Sequence, residues 1–165
     1  MTVKVKKVDP RAEIPKYAHQ SDACFDLRVL CDEKNKPRRY DAGSDSFVEL
    51  LTSDGGIVIP PGETYIFNTG LAFEIPDGFA MKVYPRSSLG VKRGLCFGCS
   101  GIIDAGYRGA VSISLANRGT TDAFVRDFDR VAQAEICRVD RVEFEVVEKL
   151  GPGDRGENGM GSSGN

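Results

Sequence analysis

Hydrophobic and polar residues alternate with a period of two in three stretches of this chain. Residues 2–8 put Val3 and Val5 on one face, residues 111–117 align Val111, Ile113 and Leu115, and residues 142–147 align Val142, Phe144 and Val146. Such alternation predicts half-buried β-strands, because successive side chains of a strand point to opposite faces. Turn-forming clusters lie between them: "PPGET" at 60–64, "IPDGF" at 75–79 and "NRGTTD" at 117–122. No segment sustains the 3.6-residue period of an amphipathic helix. The one helical turn expected follows Pro85, with Ser87 or Ser88 as its N-cap. Many short strands at this spacing predict an all-β fold, a sandwich, jelly roll or barrel, with one short helix.

Two segments break the pattern. Residues 31–56 are polar and rich in Gly, Ser and Asp around a small apolar patch of Phe47, Val48, Leu50 and Leu51. They predict an excursion between strands with room for one hairpin. Residues 151–165, "GPGDRGENGMGSSGN", are too glycine-rich and polar to hold themselves against a core. The organisation expected is one β domain over 1–150 and a flexible C-terminal tail over 151–165.

Composition then narrows the function. At 165 residues and 41% hydrophobic content the chain fits one globular domain with a real core. A net charge of −2 argues against a nonspecific nucleic-acid binder. No run approaches the ~20 apolar residues of a membrane helix, and the basic "MTVKVKKVDP" start has no apolar stretch of a secretory signal. Five cysteines without such a signal predict reduced thiols in a cytosol. Cys96 and Cys99 form a lone CxxC, and His19 is the only histidine, so a four-ligand zinc site is not expected and these thiols read as small core residues.

The candidate chemistry centres on "GIIDAGYRG", residues 101–109. Taken alone, Asp104 reads as a turn aspartate and Tyr107 as an ordinary core tyrosine. Arg155, Ser162 and Ser163, interspersed with glycines, read either as a disordered end or as a flexible anion clamp, since glycine lets backbone N–H groups approach phosphate.

Five stretches together resemble the motifs of the trimeric dUTPase family, in the family's order: "SDACFDLRV" (21–29), "PRSSLG" (85–90), "GIIDAGYRG", "DRVAQ" (129–133) and "RGENGMGSSG" (155–164). The resemblance implies a jelly-roll β fold and a homotrimer with active sites shared between chains. It implies Mg²⁺-dependent hydrolysis of dUTP to dUMP and pyrophosphate, which keeps uracil out of DNA and supplies dUMP for thymidylate synthesis. The setting it implies is cytoplasmic, or the host cytosol for a viral protein. It casts Asp104 as the group that deprotonates a water attacking the α-phosphorus, and Tyr107 as the ring against the deoxyribose. Uracil is read by the hairpin before Asp104, through Gly98, Cys99, Ile102 and Ile103, with Met160 over the base. Phosphate contacts fall to Arg86, Ser87, Ser88, Gln133, Arg155, Gly156, Ser162 and Ser163, and Asp26 supports Arg86 and metal-bound water. The metal needs no protein cage, because Mg²⁺ keeps waters and is commonly held by substrate phosphates. Apolar Ile102 and Ile103 are expected to fix the strand of Asp104 in the core.

The chain departs from the family at Cys24 and Phe128, where glycine is usual. It departs also at Gly98, where many members have asparagine, and at Met160, where an aromatic is usual. Two alternatives remain. A dCTP deaminase has related motifs, but Ser114 stands where its catalytic glutamate belongs. A noncatalytic trimer of the same fold could use residues 31–56 to bind a protein.

Overall fold

The computed structural model describes residues 1–99 and 101–153. Its longest strand, β6 (Thr64–Glu74), organises one large sheet. Running outward from β6 on one side are β3 (Arg38–Asp41) and β4 (Ser46–Glu49); on the other are β10 (Ala110–Asn117) and β8 (Leu95–Phe97). β1 (Lys4–Lys7) pairs antiparallel with the end of β6. A second sheet has the order β2 (Phe25–Arg28), β12 (Arg130–Arg138), β7 (Phe79–Pro85), β9 (Ile102–Asp104). A separate two-stranded sheet pairs β5 (Gly56–Ile59) with β11 (Ala123–Arg126). Among the described residues there is one helix, α1 (Ser87–Arg93), which follows β7. This is the all-β pattern with one short helix that the alternation predicts.

The core lies between the sheets. Phe67, Leu27, Leu30, Ile59 and Leu71 are among its fully buried side chains, each worth about 1.5–3 kcal/mol of burial. The expected inward row Val111, Ile113, Leu115 is buried, and Val3 and Val5 pack against the core edge. Asn117 is fully buried yet satisfied: its amide donates to the carbonyls of Ile59 and Thr121, both at 2.8 Å, and its oxygen accepts from Gly119 N–H at 2.9 Å. The register of β6 against β10 slips around Gly70, whose φ of 69° suits glycine. A Cβ there would also lie 2.7 Å from Leu30 Cδ1.

The excursion of 31–56 contains the expected hairpin, β3 with β4. Four expectations need correction. Residues 142–147 form no strand: Val142, Phe144 and Val146 are 68%, 93% and 99% exposed, because β12 ends at Arg138 and, among the described residues, no strand pairs with them. The cap of α1 is Arg86, with extended backbone and no side-chain cap bond; Ser87 is already helical. The segment before Asp104 is not a hairpin of paired strands, since β8 pairs with β10 and β9 with β7. Finally, Ile102 does not anchor β9 in the core. It is 60% exposed, because β9 is an edge strand whose outward side holds Ile102 and Asp104 and whose inward side holds only Ile103.

Gly101 fastens β9. The amide of Val83 donates to its carbonyl at 2.6 Å, and a methyl on Gly101 would overlap the Val83 carbonyl. Gly101→Ala therefore lowers stability by about 1–3 kcal/mol and displaces the strand carrying Asp104. Thermal unfolding checks this, and an unchanged melting temperature with full activity would contradict it.

Candidate active site

The register of the second sheet places most candidate residues. Gln133 lies opposite Asp26 on one side and Tyr84 on the other. One residue past Tyr84, β7 ends at Pro85 and the chain turns into α1 through Arg86. The result is a cluster: Arg86 Nη1 is 3.4 Å from Asp26 Oδ2, and Arg130 Nη1 is 3.1 Å from the same oxygen. Gln133 Nε2 donates to the Pro85 carbonyl at 3.4 Å. Ser87 and Ser88 stand exposed at the start of α1 beside this cluster. Asp26 is therefore a bracket that holds two guanidinium groups in fixed places, which suits binding a phosphate chain. A cleft of about 590 Å³ opens next to it, bounded by Asp26, Arg28, Arg130, Lys7, Lys16 and Tyr17.

The second group sits elsewhere. Tyr107 N–H donates to the Asp104 carbonyl at 3.1 Å, closing a turn that couples carboxylate and ring. The Tyr107 hydroxyl donates to the Ala110 carbonyl at 3.1 Å, and its ring packs over Gly109, so the half-exposed ring is held in one orientation. Asp104 is exposed at the sheet edge. Gly98 N–H donates to the Ser114 carbonyl at 3.1 Å, which sets the loop leading to β9. A side chain at Gly98 would meet Thr64 Cγ2 at 2.6 Å and the Ser114 hydroxyl. This loop is thus packed for glycine, and asparagine there would require both neighbours to turn away.

The two groups do not meet within one chain. Asp104 lies opposite Ala80 and Gln133 opposite Tyr84; four residues along and two strands across separate them by roughly 16 Å. Arg155, Gly156, Met160, Ser162 and Ser163 lie outside the described residues. The motifs did not single out Arg130, although it stands inside "DRVAQ"; a cation within a stretch read as phosphate-binding was the available signal. They also passed over Tyr84, whose hydroxyl donates to Glu135 Oε1 at 2.7 Å, a bond that pushes its pKa up to about 12.

The cysteines differ from the expectation of small core thiols. Cys31 is buried, but Cys99 is exposed and Cys96 half-buried. Burial, then the negative charges of Asp127 and Asp32, push the Cys31 thiol from 9.0 to about 12. A raised value means the neutral thiol is the folded form; its contribution to stability is complete below about 9 and is lost as pH climbs toward 12. Iodoacetamide at about pH 8.5 should label Cys99 in the native protein and spare Cys31 until it unfolds. Peptide mass spectrometry reads this out, and prompt native labelling of Cys31 would contradict it.

An all-β protein with a carboxylate-braced arginine pair on one sheet and a carboxylate–tyrosine turn at that sheet's edge defines a class, and known proteins of that class are similar to this one. The dUTPase family model matches residues 35–164. The deoxyuridine 5'-triphosphate nucleotidohydrolase of Janthinobacterium sp. (strain Marseille) is 36% identical over 167 residues, covering 99% of this chain and 97% of the relative. That of Thermobifida fusca (strain YX) is 35% identical over 164 residues, covering 98% and 78%. Among solved structures, the Staphylococcus bacteriophage 80alpha dUTPase with dUPNHPP superposes with a TM-score of 0.78 at 23% identity, over 99% of both chains. A mutant dUTPase from phage phi11 of S. aureus, described with a structural Mg(II) ion, superposes at 0.69 and 20% identity, over 91% of this chain and 99% of that one. The chain belongs to the dUTPase family, and its fold is the jelly-roll-like fold of those structures.

Proposed function

We infer that this protein is a dUTP diphosphatase: it hydrolyses dUTP to dUMP and pyrophosphate, with Asp104 drawing the proton from a water that attacks the α-phosphorus. The observation that carries the reading is the pair of groups just described, one suited to phosphates and one to base, sugar and water. Arg86 and Arg130, bracketed by Asp26, with Gln133, Ser87 and Ser88, receive the triphosphate. Gly98, Cys99, Ile102 and Ile103 line the loop and strand beside the uracil, and Tyr107 faces the deoxyribose.

Their separation of roughly 16 Å in one chain supports a site completed by a second copy, in a homotrimer. Exposed Val142, Phe144 and Val146 are further surface for a neighbouring chain to cover. The tail, with Arg155 and Gly156 toward the γ-phosphate, Ser162 and Ser163 on the phosphates and Met160 over the base, closes the site in this reading.

Mg²⁺ fits the donor set. Among the described residues no three His, Cys, Asp or Glu side chains form a cage, and Asp26 is already engaged by two arginines. The ion would therefore arrive on the triphosphate, with Asp26 reaching only its waters. When bound it neutralises charge on the phosphoryl oxygens. In this reading the enzyme works in the cytoplasm. Among the described residues no helix is long and apolar enough to cross a membrane.

Pyrophosphate release from dUTP, dTTP, dCTP and UTP tests the reading: turnover is confined largely to dUTP, and equal rates or none would overturn it. Tyr107 sets the sugar choice within that panel. Its ring leaves no room for a hydrated 2′-hydroxyl, so Tyr107→Ala raises UTP turnover relative to dUTP by about tenfold. Tyr107→Phe loses only the bond to Ala110 and leaves the ratio near that of the native enzyme. An unchanged ratio in Tyr107→Ala would remove the ring from that role.

A further inference from the structure

The turn that feeds the phosphate-binding strand β12 is built on an unusual residue. Phe128 has a φ of 62°, the left-handed region that bulky side chains rarely adopt. Its N–H donates to the Val29 carbonyl at 2.9 Å, and its carbonyl accepts from Arg28 Nη1 at 2.8 Å. The ring is covered by the guanidinium of Arg11, 5.3 Å from its centroid.

That guanidinium is a junction. Arg11 Nη1 donates to Asp127 Oδ2 at 2.9 Å, Nη2 lies 2.6 Å from Asp32 Oδ2, and Nε lies 3.7 Å from Asp9 Oδ1. Asp127 Oδ1 accepts from Cys31 N–H at 2.7 Å, and Asn35 donates to both Asp9 and Asp32. Three segments distant in sequence, at 9–11, 31–35 and 126–129, are tied at one cation. On the far side of the turn, Asp129 Oδ2 accepts from Arg93 Nη1 and from Arg126 N–H, both at 3.1 Å, which joins the turn to the last turn of α1.

The shape of this turn matters because it launches two phosphate-facing residues. Arg130 is two residues beyond Phe128, the register of β12 against β2 slips between Arg130 and Ala132, and Gln133 comes next. A bulge re-aims the side chains beside it, and which face each residue takes is set by where the strand begins. Relaxing Phe128 would rotate the peptide that starts β12, and with it Arg130 and Gln133.

We propose that Arg11 is a positioning residue for the phosphate chain of dUTP: by covering Phe128 and pairing with Asp127 it locks the left-handed turn and so aims Arg130 and Gln133 into the site. Its own ionic partners, Asp9, Asp32 and Asp127, all lie outside the cleft. In this chain the arginine does what a glycine at 128 would do without help, since glycine takes a positive φ freely.

The test is a double-mutant cycle, and it rests on the dUTP-hydrolysing reading. The variants are Arg11→Met, Phe128→Gly and the two combined, each measured for KM and kcat with dUTP and for melting temperature. Arg11→Met raises KM about tenfold with kcat within about threefold, because the lost contacts are to the phosphates of bound substrate. Phe128→Gly alone changes KM little. The double variant recovers KM to within about threefold of the native value, while its melting temperature stays low because the ion pairs to Asp9, Asp32 and Asp127 are still missing. A merely structural arginine would give no such split between KM and melting temperature. If Arg11→Met does not fold, Arg11→Lys, which keeps the charge without the flat face, takes its place in the same cycle. An unchanged KM in the folded single variant, or a double variant as weak as the single, overturns the proposal. A native protein that leaves dUTP intact overturns the activity reading and this one with it, and the native control separates the two failures.

Discussion

Asp104→Asn is expected to lower dUTP turnover by about two orders of magnitude or more while the nucleotide still binds. The amide keeps the size and shape of the carboxylate and leaves the turn to Tyr107 intact, because that turn uses the Asp104 backbone carbonyl. Only the ability to accept a proton from water is lost. Asp104 is exposed at the edge of β9 in the single chain, so no buried partner is orphaned by the change and the fold is not the quantity at risk. Single-turnover kinetics with titration of a non-hydrolysable dUTP analogue separates the two effects. Turnover near the native rate would remove Asp104 from the role of base, and lost binding would make it a binding group instead.

Arg86→Ala is the second large effect, a fall in kcat/KM of roughly ten- to a hundredfold. Arg86 and Asp26 are both about three-quarters covered, so their pairing is better shielded than a surface ion pair. In the proposed reading, removing the guanidinium takes a phosphate donor away and leaves Asp26 with Arg130 alone, pointing a carboxylate at an incoming triphosphate. Arg86→Lys should recover only part of the loss, because an ammonium cannot fork onto the carboxylate and a phosphate at once. Full recovery by lysine would mean that charge alone matters there, and a native kcat/KM in the alanine variant would take Arg86 out of the site.

Part of this molecule was legible in its residues. The row Val111, Ile113, Leu115 announced β10 because alternation reports which side chains face a core. The same signal misled at 142–147, since alternation says nothing about whether a partner strand lies alongside. Motif resemblance brought together Asp26, Arg86 and Gln133, which the second sheet sets close to one another. It implied sites shared between chains but not that Asp104 is the group set apart from the others, because distance across a sheet follows from strand order, which no local motif encodes. Phe128 looked only like a departure from glycine. Its left-handed backbone and the arginine that covers its ring depend on contacts with residue 11, more than a hundred positions away. Gly98 and Gly101 carried no visible demand either; the crowding that requires glycine comes from Thr64, Ser114 and Val83 on other strands.

The division of the site between chains is tested most directly by subunit complementation. Asp104→Asn and Arg86→Ala chains, each nearly inactive alone, are unfolded together in equal amounts and refolded. Where Asp104 of one chain serves with Arg86 of its neighbour, about a quarter of the sites in randomly mixed trimers regain both native groups. Activity rising to about a quarter of the native level is the expected result. A mixture no more active than its parents would place both groups in one chain's own site and contradict the shared architecture.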